Sequence, residues 1–553
     1  MSYKLDDNQN KIVLHSTGAA LTLAGPGSGK TTVLTERTVR LARKVSDPTK
    51  ILCVTFTNAA GDEMANRFIK SYASFEKTVD KIPVFKTVHS FCNEIIKYYE
   101  IVSGVRYTRI EGDNKGKEKI IIELYKEING DLPDSNVIEK LTALSCDSKR
   151  IPEIKNVKKI MQNYKSYKDK KNLIDFDDMI FFAKEILTSE SESKRVVRDF
   201  FCNRFEYVQV DEAQDLTAEQ FEIMEMIAKN GNIFVVADDD QSIYGFRGAA
   251  PNCLFEFQKI YADCKKYYLS RNYRSVRNIV DCSCQFISSN KERFAKKLYS
   301  EKEMGPMPVI KSFTNGIKQA EFIIKESQKL ISTESDLKIG VLYRNNISGL
   351  LPRAVFIQNG YCFKCGENSY KTNEIDFLDI IISKMRKIER KSIIVPTPSK
   401  ILRLLKEEGL GVQLDNYCRE SGRNMYYKDI VAELIEYLCK KNDSVVQIVQ
   451  MLDKIDDAGV DLNDKQNIFA EFSTVHSSKG LEYDVVFVID VVKGEFPGRG
   501  ATSGRELEEE RRLFYVAMTR AKKYLYVLYP ERGNEKSVFI KEMSKIVKAP
   551  LSS

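Results

Sequence analysis

The stretch AGPGSGKTT, residues 24–32, constrains this chain more than any other part of its sequence. The apolar run Leu21 to Ala24 predicts a strand, and a helical pattern follows from Lys30 to Leu41. Glycines between a strand and a helix let backbone N–H groups wrap around phosphate oxygens, and the helix N-terminus adds partial positive charge. A glycine-rich turn before an ordinary helix is the simpler alternative, but the complete strand–loop–helix context favours a phosphate-binding loop.

The chemistry predicted for this loop is that of a nucleotide site. Lys30 is expected to reach the β- and γ-phosphates of ATP, and Thr31 to hold Mg²⁺. Ala24 stands where the pattern usually has its first glycine. The residues of this loop predicted to contact the nucleotide are Ala24, Gly25, Gly27, Ser28, Gly29, Lys30, Thr31 and Thr32.

A second segment, VQVDEAQD at residues 208–215, supplies the acidic groups that such a site needs. It begins in a short β-branched run, Tyr207 to Val210, which places Asp211 at the tip of a predicted strand. Acidic loop residues are usually a solvated surface, but their place after a strand favours a catalytic role here. Asp211 is expected to ligate Mg²⁺, and Glu212 to polarise the attacking water as general base.

A third segment, VADDDQSIYGFRG at residues 236–248, carries two kinds of chemistry in one loop. Its carboxylates and Gln241 suit a phosphate and its metal ion. The aromatic residues and the arginine that follow suit a nucleobase and its backbone. This loop is therefore predicted to contact both a nucleotide and a nucleic acid.

Strands that end at polar loops predict an α/β fold with two parallel sheets. The strands of the first sheet are predicted at Leu21 to Ala24, Ile51 to Phe56, Tyr207 to Val210 and Ile233 to Ala237. Those of the second are predicted at Lys338 to Tyr343, Val485 to Ile489 and Tyr524 to Tyr529. A lysine-rich helical pattern from Phe91 to Phe201 and a charged one from Asp376 to Asp464 predict a helical insertion in each sheet domain.

Composition limits the class of protein only weakly. The net charge of +8 on 553 residues permits nucleic-acid binding without arguing for it. Twelve scattered cysteines fit a reducing compartment, and no apolar run approaches the length of a membrane span, so a cytoplasmic protein is expected. The spacing of Cys362 and Cys365 resembles half of a zinc site, but a second tight pair is missing, which favours buried free thiols.

With further segments, the chain resembles the superfamily 1 DNA helicases of the UvrD/Rep/PcrA type over most of its length. The segments follow the order of the family's motifs. Of the three segments above, residues 236–248 resemble motif III. The further segments are LDDNQN (5–10, Q motif), CVTFTNAAGDEM (53–64, motif Ia), TVHSF (87–91, motif Ib), LSRNYRS (269–275, motif IV), TVHSSKGLEYDVVF (474–487, motif V) and EEERRLFYVAMTRAKKYLYV (508–527, motif VI).

The resemblance implies two RecA-like P-loop domains, each with a mainly helical insertion. Domain 1A is expected at residues 1–90 and 200–270, and its insertion 1B at 91–199. Domain 2A is expected at residues 271–375 and 465–553, and a 2B-like insertion at 376–464. That second insertion has roughly half the length typical of subdomain 2B, which in relatives contacts duplex DNA and regulates unwinding.

The resemblance also implies roles around ATP. Gln9 is expected on the adenine edge, Tyr273 stacked on adenine, and Glu482 on the ribose. Gln241 and Arg274 are expected at the γ-phosphate, with Arg520 as an arginine finger. For each arginine, a surface salt bridge is the alternative.

Residues implied to face single-stranded DNA come from motifs Ia, Ib, III and V. Phe246 replaces the family's usual tryptophan, and Thr32 replaces an arginine often found near adenine. A buried aromatic is the alternative for Phe246, and a hydrogen-bonded structural role for the histidines. The implied DNA contacts are Phe56, Thr57, Asn58, His89, Tyr244, Phe246, Arg247 and His476.

The function implied is an ATP-dependent single-stranded DNA translocase and helicase, moving 3′-to-5′ and acting at single-strand/duplex junctions. One alternative is a non-unwinding DNA-dependent ATPase or sensor that serves a nuclease or another repair or defence partner. Another is a P-loop scaffold or switch without motor action, against which the two arginines argue. No membrane partner is expected.

Overall fold

A computed structural model describes residues 5–75, 80–110, 115–133, 135–142, 154–245, 248–366, 376–392, 396–420, 425–456, 468–501, 504–531 and 536–548. The chain divides into two compact units. Unit 1 takes the described residues of Met1–Ala24, Lys30–Asp238 and Phe246–Leu269. Unit 2 takes those of Gly25–Gly29, Asp239–Gly245 and Ser270–Ser553.

Unit 1 is built on a six-stranded sheet in the order β3-β2-β6-β7-β1-β8, in which every pairing is parallel. Two further strands, β4 and β5, pair with each other in a small parallel sheet. The strands are β1 (Ala20–Ala24), β2 (Ile51–Thr55), β3 (Val84–Thr87), β4 (Thr108–Arg109), β5 (Leu173–Ile174), β6 (Tyr207–Val210), β7 (Ile233–Ala237) and β8 (Lys265–Leu269).

Several helices of unit 1 begin at residues whose side chains cap the helix N-terminus. Asp6 and Gln9 form a capping box at α1, and Thr217 and Gln220 form one at α10. The helices are α1 (Asp7–Leu14), α2 (Lys30–Ala42), α3 (Asn58–Tyr72), α4 (Val88–Ser103), α5 (Lys115–Asn129), α6 (Ser135–Thr142), α7 (Val157–Lys171), α8 (Phe176–Thr188), α9 (Glu192–Arg204), α10 (Ala218–Ile227) and α11 (Asn252–Ile260).

Every residue of β1, β2 and β7 is buried. This is typical of a parallel sheet that is covered on both faces, and it explains why these strands read as continuous apolar runs. Helices α4 to α9 occupy the chain between β3 and β6. They match the lysine-rich helical pattern expected between Phe91 and Phe201.

Unit 2 has a second six-stranded parallel sheet, in the order β11-β16-β15-β12-β14-β13. Strands β9 and β10 pair separately. The strands are β9 (Arg271–Asn272), β10 (Tyr299–Ser300), β11 (Val309–Phe313), β12 (Ile339–Tyr343), β13 (Cys362–Cys365), β14 (Ile468–Thr474), β15 (Tyr483–Val488) and β16 (Ala521–Pro530).

Five of the helices of unit 2, α15 to α19, follow one another between β13 and β14. Their apolar faces join the same core cluster as the sheet, through residues such as Leu405 and Leu434. The helices are α12 (Arg277–Ile287), α13 (Gly316–Thr333), α14 (Leu350–Gln358), α15 (Asp376–Lys391), α16 (Pro398–Glu407), α17 (Leu410–Glu420), α18 (Met425–Lys441), α19 (Val445–Asp456), α20 (Gly504–Met518) and α21 (Val538–Lys548).

The predicted fold class is confirmed: the chain is mixed α/β with two parallel sheets and mainly helical segments between strands. The sequence patterns missed β3, β8, β11, β13 and β14, which are partly exposed or contain charged residues. Phe56 lies one residue beyond the end of β2. Among the described residues, no helix is long and apolar enough to cross a membrane.

The interpretation of Cys362 and Cys365 as buried free thiols is wrong for Cys362, which is exposed, whereas Cys365 is partly buried. The cause is its place on β13, an edge strand whose residues alternate between the core and solvent. Cys418 and Cys439, further along the chain, are buried.

Candidate nucleotide and DNA sites

The glycine-rich loop connects the end of β1 to the start of α2. Gly27 and Gly29 have φ angles of +65° and +84°, in the left-handed region that a residue with a Cβ adopts only under strain. Ser28 closes the loop by donating a 2.7 Å hydrogen bond to the carbonyl oxygen of Gly25. A Cβ at Gly27 would lie 2.6 Å from the Cβ of Arg274, so this position also requires glycine for space.

Motif IV residues support the same loop within unit 2. The side-chain amide of Asn272 donates a 2.8 Å hydrogen bond to the carbonyl oxygen of Pro26. The backbone N–H of Tyr273 donates to the carbonyl oxygen of Gly27 at 2.8 Å. These two bonds fix the loop conformation and bring the predicted adenine-stacking and γ-phosphate residues, Tyr273 and Arg274, beside it.

In unit 1, Lys30 and the acidic residues after β6 lie together. The Nζ of Lys30 is 3.5 Å from the Oε1 of Glu212, and the Lys30 side chain is only 11% exposed. Asp211 is 5% exposed and follows directly after β6. The structure therefore places the predicted phosphate-binding lysine next to the predicted general base.

The backbone of Glu212 is unusual, with a φ of +50° in a residue that is not glycine. Its carboxylate accepts a hydrogen bond from the side-chain amide of Gln214, and its backbone N–H donates to the Asp211 carboxylate at 3.0 Å. Non-glycine residues in this region cost on the order of 1–3 kcal/mol and concentrate at functional sites. Glu212 therefore has the kind of strained backbone that often accompanies function, as the predicted role requires.

The oxygen ligands predicted for Mg²⁺ fit the ion chemically. Thr31 is the second residue of α2, and Asp211 offers a nearly buried carboxylate. Carboxylate and hydroxyl oxygens are the donors that a hard divalent cation takes alongside phosphate and water.

Gln241 and Arg520 are in direct contact in unit 2. The Nη2 of Arg520 donates a hydrogen bond to the Oε1 of Gln241 at 3.0 Å. The Nζ of Lys479 donates to the backbone carbonyl of Gln241, also at 3.0 Å. Arg520 is 2% exposed and makes further hydrogen bonds to the carbonyl oxygens of Val516 and Leu481. Arg520 is therefore buried and oriented, which excludes the surface salt bridge considered from its sequence.

Arg274 and Glu482, predicted at the γ-phosphate and the ribose, bond to each other at 2.9 Å. Arg274 also donates to the carbonyl oxygen of Thr519, and Lys522 lies 2.7 Å from Glu482. Burial raises the pKa of Glu482, but Lys522 and Arg274 outweigh it and hold that pKa below its ordinary value. The salt bridge considered as the alternative for Arg274 is thus present.

Gln9, predicted at the adenine edge, is buried and has a structural task. Its Oε1 accepts a 3.1 Å hydrogen bond from the backbone N–H of Asp6, and its own N–H donates to the Asp6 carboxylate at 2.7 Å. The carboxamide oxygen therefore caps α1, and the Nε2 atom is the part of the side chain suited to a base.

Two of the three carboxylates of the third segment, those of Asp239 and Asp240, are bound to cations of the chain itself. Asp240 accepts two hydrogen bonds from Arg293, and Asp239 accepts one from Lys296. Sequence patterns missed both cations, because they lie more than fifty residues further along the chain.

The DNA-facing residues predicted in unit 1 lie at helix starts. Thr57 is exposed and caps α3, of which Asn58 is the first residue, and Phe56 precedes them half-buried. His89 packs edge-on against Phe176, with ring centroids 5.5 Å apart, and burial lowers the pKa of His89. Phe176, the first residue of α8, is 41% exposed. It was not among the residues predicted to contact DNA.

Two residues predicted to face DNA in unit 2, Tyr244 and His476, lie close to each other. His476 lies 6.3 Å from Tyr244 between ring centroids, and the Nζ of Lys479 lies 5.0 Å from the centre of the tyrosine ring. Lys479 was not predicted, although its charge within the motif V segment could have indicated it. Phe246 and Arg247 lie outside the described residues.

Comparisons with family models cover most of the chain. The model of the UvrD/REP helicase N-terminal domain matches residues 5–262. The model of the UvrD-like helicase C-terminal domain matches residues 267–455 and 426–532.

Relatives align along nearly the whole chain. A probable DNA helicase II homolog of Mycoplasma capricolum is 28% identical over an alignment of 615 positions, gaps included. The alignment covers 95% of this chain and 84% of the relative. The putative ATP-dependent DNA helicase YjcD of Bacillus subtilis is 28% identical, with 97% and 80% covered. The ATP-dependent DNA helicase PcrA of Staphylococcus epidermidis is 26% identical, with 95% and 83% covered. Because both domain models match in order from residue 5 to residue 532, the chain belongs to the UvrD/Rep family of ATP-dependent DNA helicases.

Proposed function

We propose that this protein uses ATP hydrolysis to translocate along single-stranded DNA and to unwind duplex DNA, moving 3′-to-5′. The observation that carries the proposal is the loop Asp239–Gly245. Its Gln241 bonds to Arg520 at 3.0 Å. Three residues later, its Tyr244 lies close to both Lys479 and His476. One short loop thus has a nucleotide-type contact at one end and a DNA-type aromatic at the other.

At the nucleotide end, cationic, acidic and polar residues are proposed to have different roles. The loop amides and Lys30 bind the phosphates, while Glu212 takes up the proton of the attacking water. Thr31 and Asp211 would hold Mg²⁺, which when bound neutralises charge on the β- and γ-phosphates. Arg274 and Arg520 add cations for the charge that develops during transfer, and Gln9, Tyr273 and Glu482 hold the nucleoside.

At the DNA end, aromatic rings and cations suit a single strand without sequence preference. Tyr244 offers a stacking face, and Lys479 above it adds a charge suited to phosphate. In unit 1, Phe56, Thr57, Asn58 and His89 are proposed to extend the track. Phe246 and Arg247 continue the sequence of the Tyr244 loop and are proposed as contacts on that basis.

The domain scheme proposed is 1A at residues 1–90 and 200–270, 1B at 91–199, 2A at 271–375 and 465–553, and a short 2B-like insertion at 376–464. Alignments with the relatives run to 615 positions or more, which exceeds the 553 residues of this chain. The relatives therefore contain segments that this chain lacks, in keeping with a reduced insertion.

The reduced 2B-like insertion favours a second candidate function. A chain with a shorter 2B-like insertion has less surface for duplex DNA, so it could hydrolyse ATP along a single strand without separating strands. Such a DNA-dependent ATPase or sensor would serve a partner, such as a nuclease in repair or defence. The two candidates share the ATP site and differ only in the product.

ATP hydrolysis measured with and without single-stranded DNA, beside unwinding of 3′- and 5′-tailed duplexes, tests both candidates. The proposed helicase requires DNA-stimulated hydrolysis and release of a strand from the 3′-tailed substrate. Stimulated hydrolysis without strand release favours the sensor. Unwinding of only the 5′-tailed duplex contradicts the polarity, and hydrolysis indifferent to DNA contradicts both candidates.

A further inference from the structure

Four charged side chains form a buried cluster in unit 2. The cluster consists of Asp239, Asp240, Arg293 and Lys296. Arg293 binds Asp240 through two hydrogen bonds, from Nε at 2.8 Å and from Nη2 at 2.7 Å. Lys296 bridges the two carboxylates, at 2.7 Å from Asp239 and 3.0 Å from Asp240. The side chains of Asp240 and Lys296 are 0% and 1% exposed.

The cluster sets two negative charges against two positive ones, and the buried carboxylate of Asp238 directly precedes it in the chain. Burial alone raises the pKa of Asp240, but Lys296 and Arg293 outweigh burial and keep that pKa below its ordinary value. Replacing a buried ion pair by apolar residues is often neutral or stabilising, so such a cluster is weak evidence of a purely structural role. A forked arginine–carboxylate pair instead supplies a defined geometry. The question is which group that geometry serves.

The two aspartates and Gln241 make up one three-residue 3₁₀ turn, Asp239–Gln241. Two of the three side chains in the turn are therefore fixed by the cluster. The backbone N–H of Phe294 adds a second restraint on Asp239, at 2.8 Å. The Gln241 carboxamide leaves this restrained turn and meets Arg520 at 3.0 Å.

The segment that carries both cations is also tied to α20. We call residues 290–296 the strap. The carboxylate of Glu508 accepts hydrogen bonds from the backbone N–H groups of Lys291 and Glu292, at 3.0 and 3.3 Å. Arg511 donates to the Asn290 side chain at 2.8 Å, and Arg512 donates to the Glu292 carbonyl oxygen at 2.7 Å. Arg520 lies two residues beyond the end of α20.

We propose that Arg293 and Lys296 are positioning residues for ATP hydrolysis, acting through Gln241. The strap holds the turn of Gln241 on one side and the helix that leads to Arg520 on the other. It thereby sets the distance between the two groups expected at the γ-phosphate. This inference rests on the proposed function, because it assigns to the cluster a task in that same reaction.

The test is a double-mutant cycle between Arg293 and Gln241, read in DNA-stimulated ATP hydrolysis. Arg293→Lys keeps the charge but loses the fork, so the turn shifts. Because a displacement of about 1 Å can cost 10²-fold in rate, we expect kcat to fall at least about tenfold while the KM for ATP changes less than about twofold. In a Gln241→Ala background, the same substitution is expected to lower kcat less than about twofold further.

Lys297→Gln is the matched control, since Lys297 directly follows the strap and is exposed. It is expected to behave as the wild type. All variants are assayed below their thermal unfolding midpoints. Should Arg293→Lys not fold, Asp239→Asn enters the same cycle, because it leaves the Arg293–Asp240 pair intact.

An unchanged kcat, or an equal loss of kcat in both backgrounds, overturns the inference, because a merely structural role lowers activity whether or not Gln241 is present. These results require a wild-type chain with DNA-stimulated hydrolysis. If the wild-type chain shows no DNA-stimulated hydrolysis, the proposed function is overturned. If the wild-type chain turns over normally but the Arg293 and Gln241 substitutions lower kcat independently of each other, only this inference is overturned.

Discussion

The guanidinium of Arg520 donates a 3.0 Å hydrogen bond to the side-chain oxygen of Gln241, 279 residues earlier in the chain. Both side chains are buried, at 2% and 4% exposure. The bond unites motif III and motif VI within unit 2, and both side chains are proposed to face the γ-phosphate.

Loss of Arg520 should separate binding from turnover. Because a cation at the transferred phosphoryl group acts mainly in the transition state, Arg520→Ala is expected to lower kcat on the order of 10³-fold. The affinity for ATP should change far less. Steady-state hydrolysis and binding of a fluorescent ATP analogue measure the two effects. Arg499→Ala, at an exposed position of the same unit, serves as the control. A near-normal kcat for Arg520→Ala would refute the assignment of Arg520.

Lys30→Ala should abolish hydrolysis and leave the fold and single-stranded DNA binding largely intact. Lys30 is the cation that the strand–loop–helix pattern places on the β- and γ-phosphates. The expected loss of kcat is at least about 10²-fold, as for other preorganised electrostatic contacts. Hydrolysis and DNA-binding anisotropy are measured on the same preparation. If the variant still hydrolyses ATP, the nucleotide site has been assigned to the wrong residues.

Glu212→Gln tests the general base. The glutamine keeps the size of the side chain and its contact with Gln214, but it cannot accept a proton. We expect ATP binding to persist and kcat to fall by about 10²- to 10⁴-fold, the usual contribution of a positioned base. Glu206→Gln is the matched control, because Glu206 forms an exposed pair with Lys50 just before β6. Similar kcat values for the two variants would contradict the role of Glu212.

Tyr244→Ala should weaken binding to single-stranded DNA by about 1–3 kcal/mol, the range for loss of one base–aromatic stack. ATP binding without DNA should be unaffected, because Tyr244 belongs to the DNA end of its loop. Tyr244→Phe keeps the ring and should retain most of the affinity. Fluorescence anisotropy with an oligonucleotide measures the effect, and equal affinities for the alanine and phenylalanine variants would exclude stacking at this position.

Glu225 should make unit 1 less stable at alkaline pH. Burial, with a smaller effect of Glu222, raises the pKa of Glu225 to about 7. Its Oε1 has no hydrogen-bond partner among the described residues. Since the folded state holds this proton more tightly than the unfolded state, stability falls as pH rises from the unfolded pKa of about 4.5 through about 7.

Glu225→Gln removes that charge. The variant should be more stable than the wild type at pH 8 by about 1–2 kcal/mol, a value reduced for partial solvent exposure, and nearly equal at pH 5. Thermal unfolding at the two pH values measures the difference. A stability gain that is the same at both pH values would contradict titration of Glu225 as its cause.

The sequence alone determined the parts of the protein that depend on local order. The loop before Lys30, the strand end at Asp211 and the two parallel sheets could be predicted, because phosphate binding requires glycines, a strand and a helix in sequence. The alternation of apolar strands with polar loops fixed the fold class in the same way. The family could also be recognised from the sequence, because the order of its motifs along the chain is a property of the sequence itself.

The tertiary structure decided which distant side chains meet. Arg293 and Lys296 bind the aspartates of the Gln241 turn from more than fifty residues away, and Arg274 bonds to Glu482 from 208 residues away. Strands such as β14 were also missed, since their pairing depends on neighbours rather than on their own pattern. Ion pairs and strand pairings join residues that are far apart in the sequence. The sequence near a charged residue therefore does not show which partner the tertiary fold will place beside it.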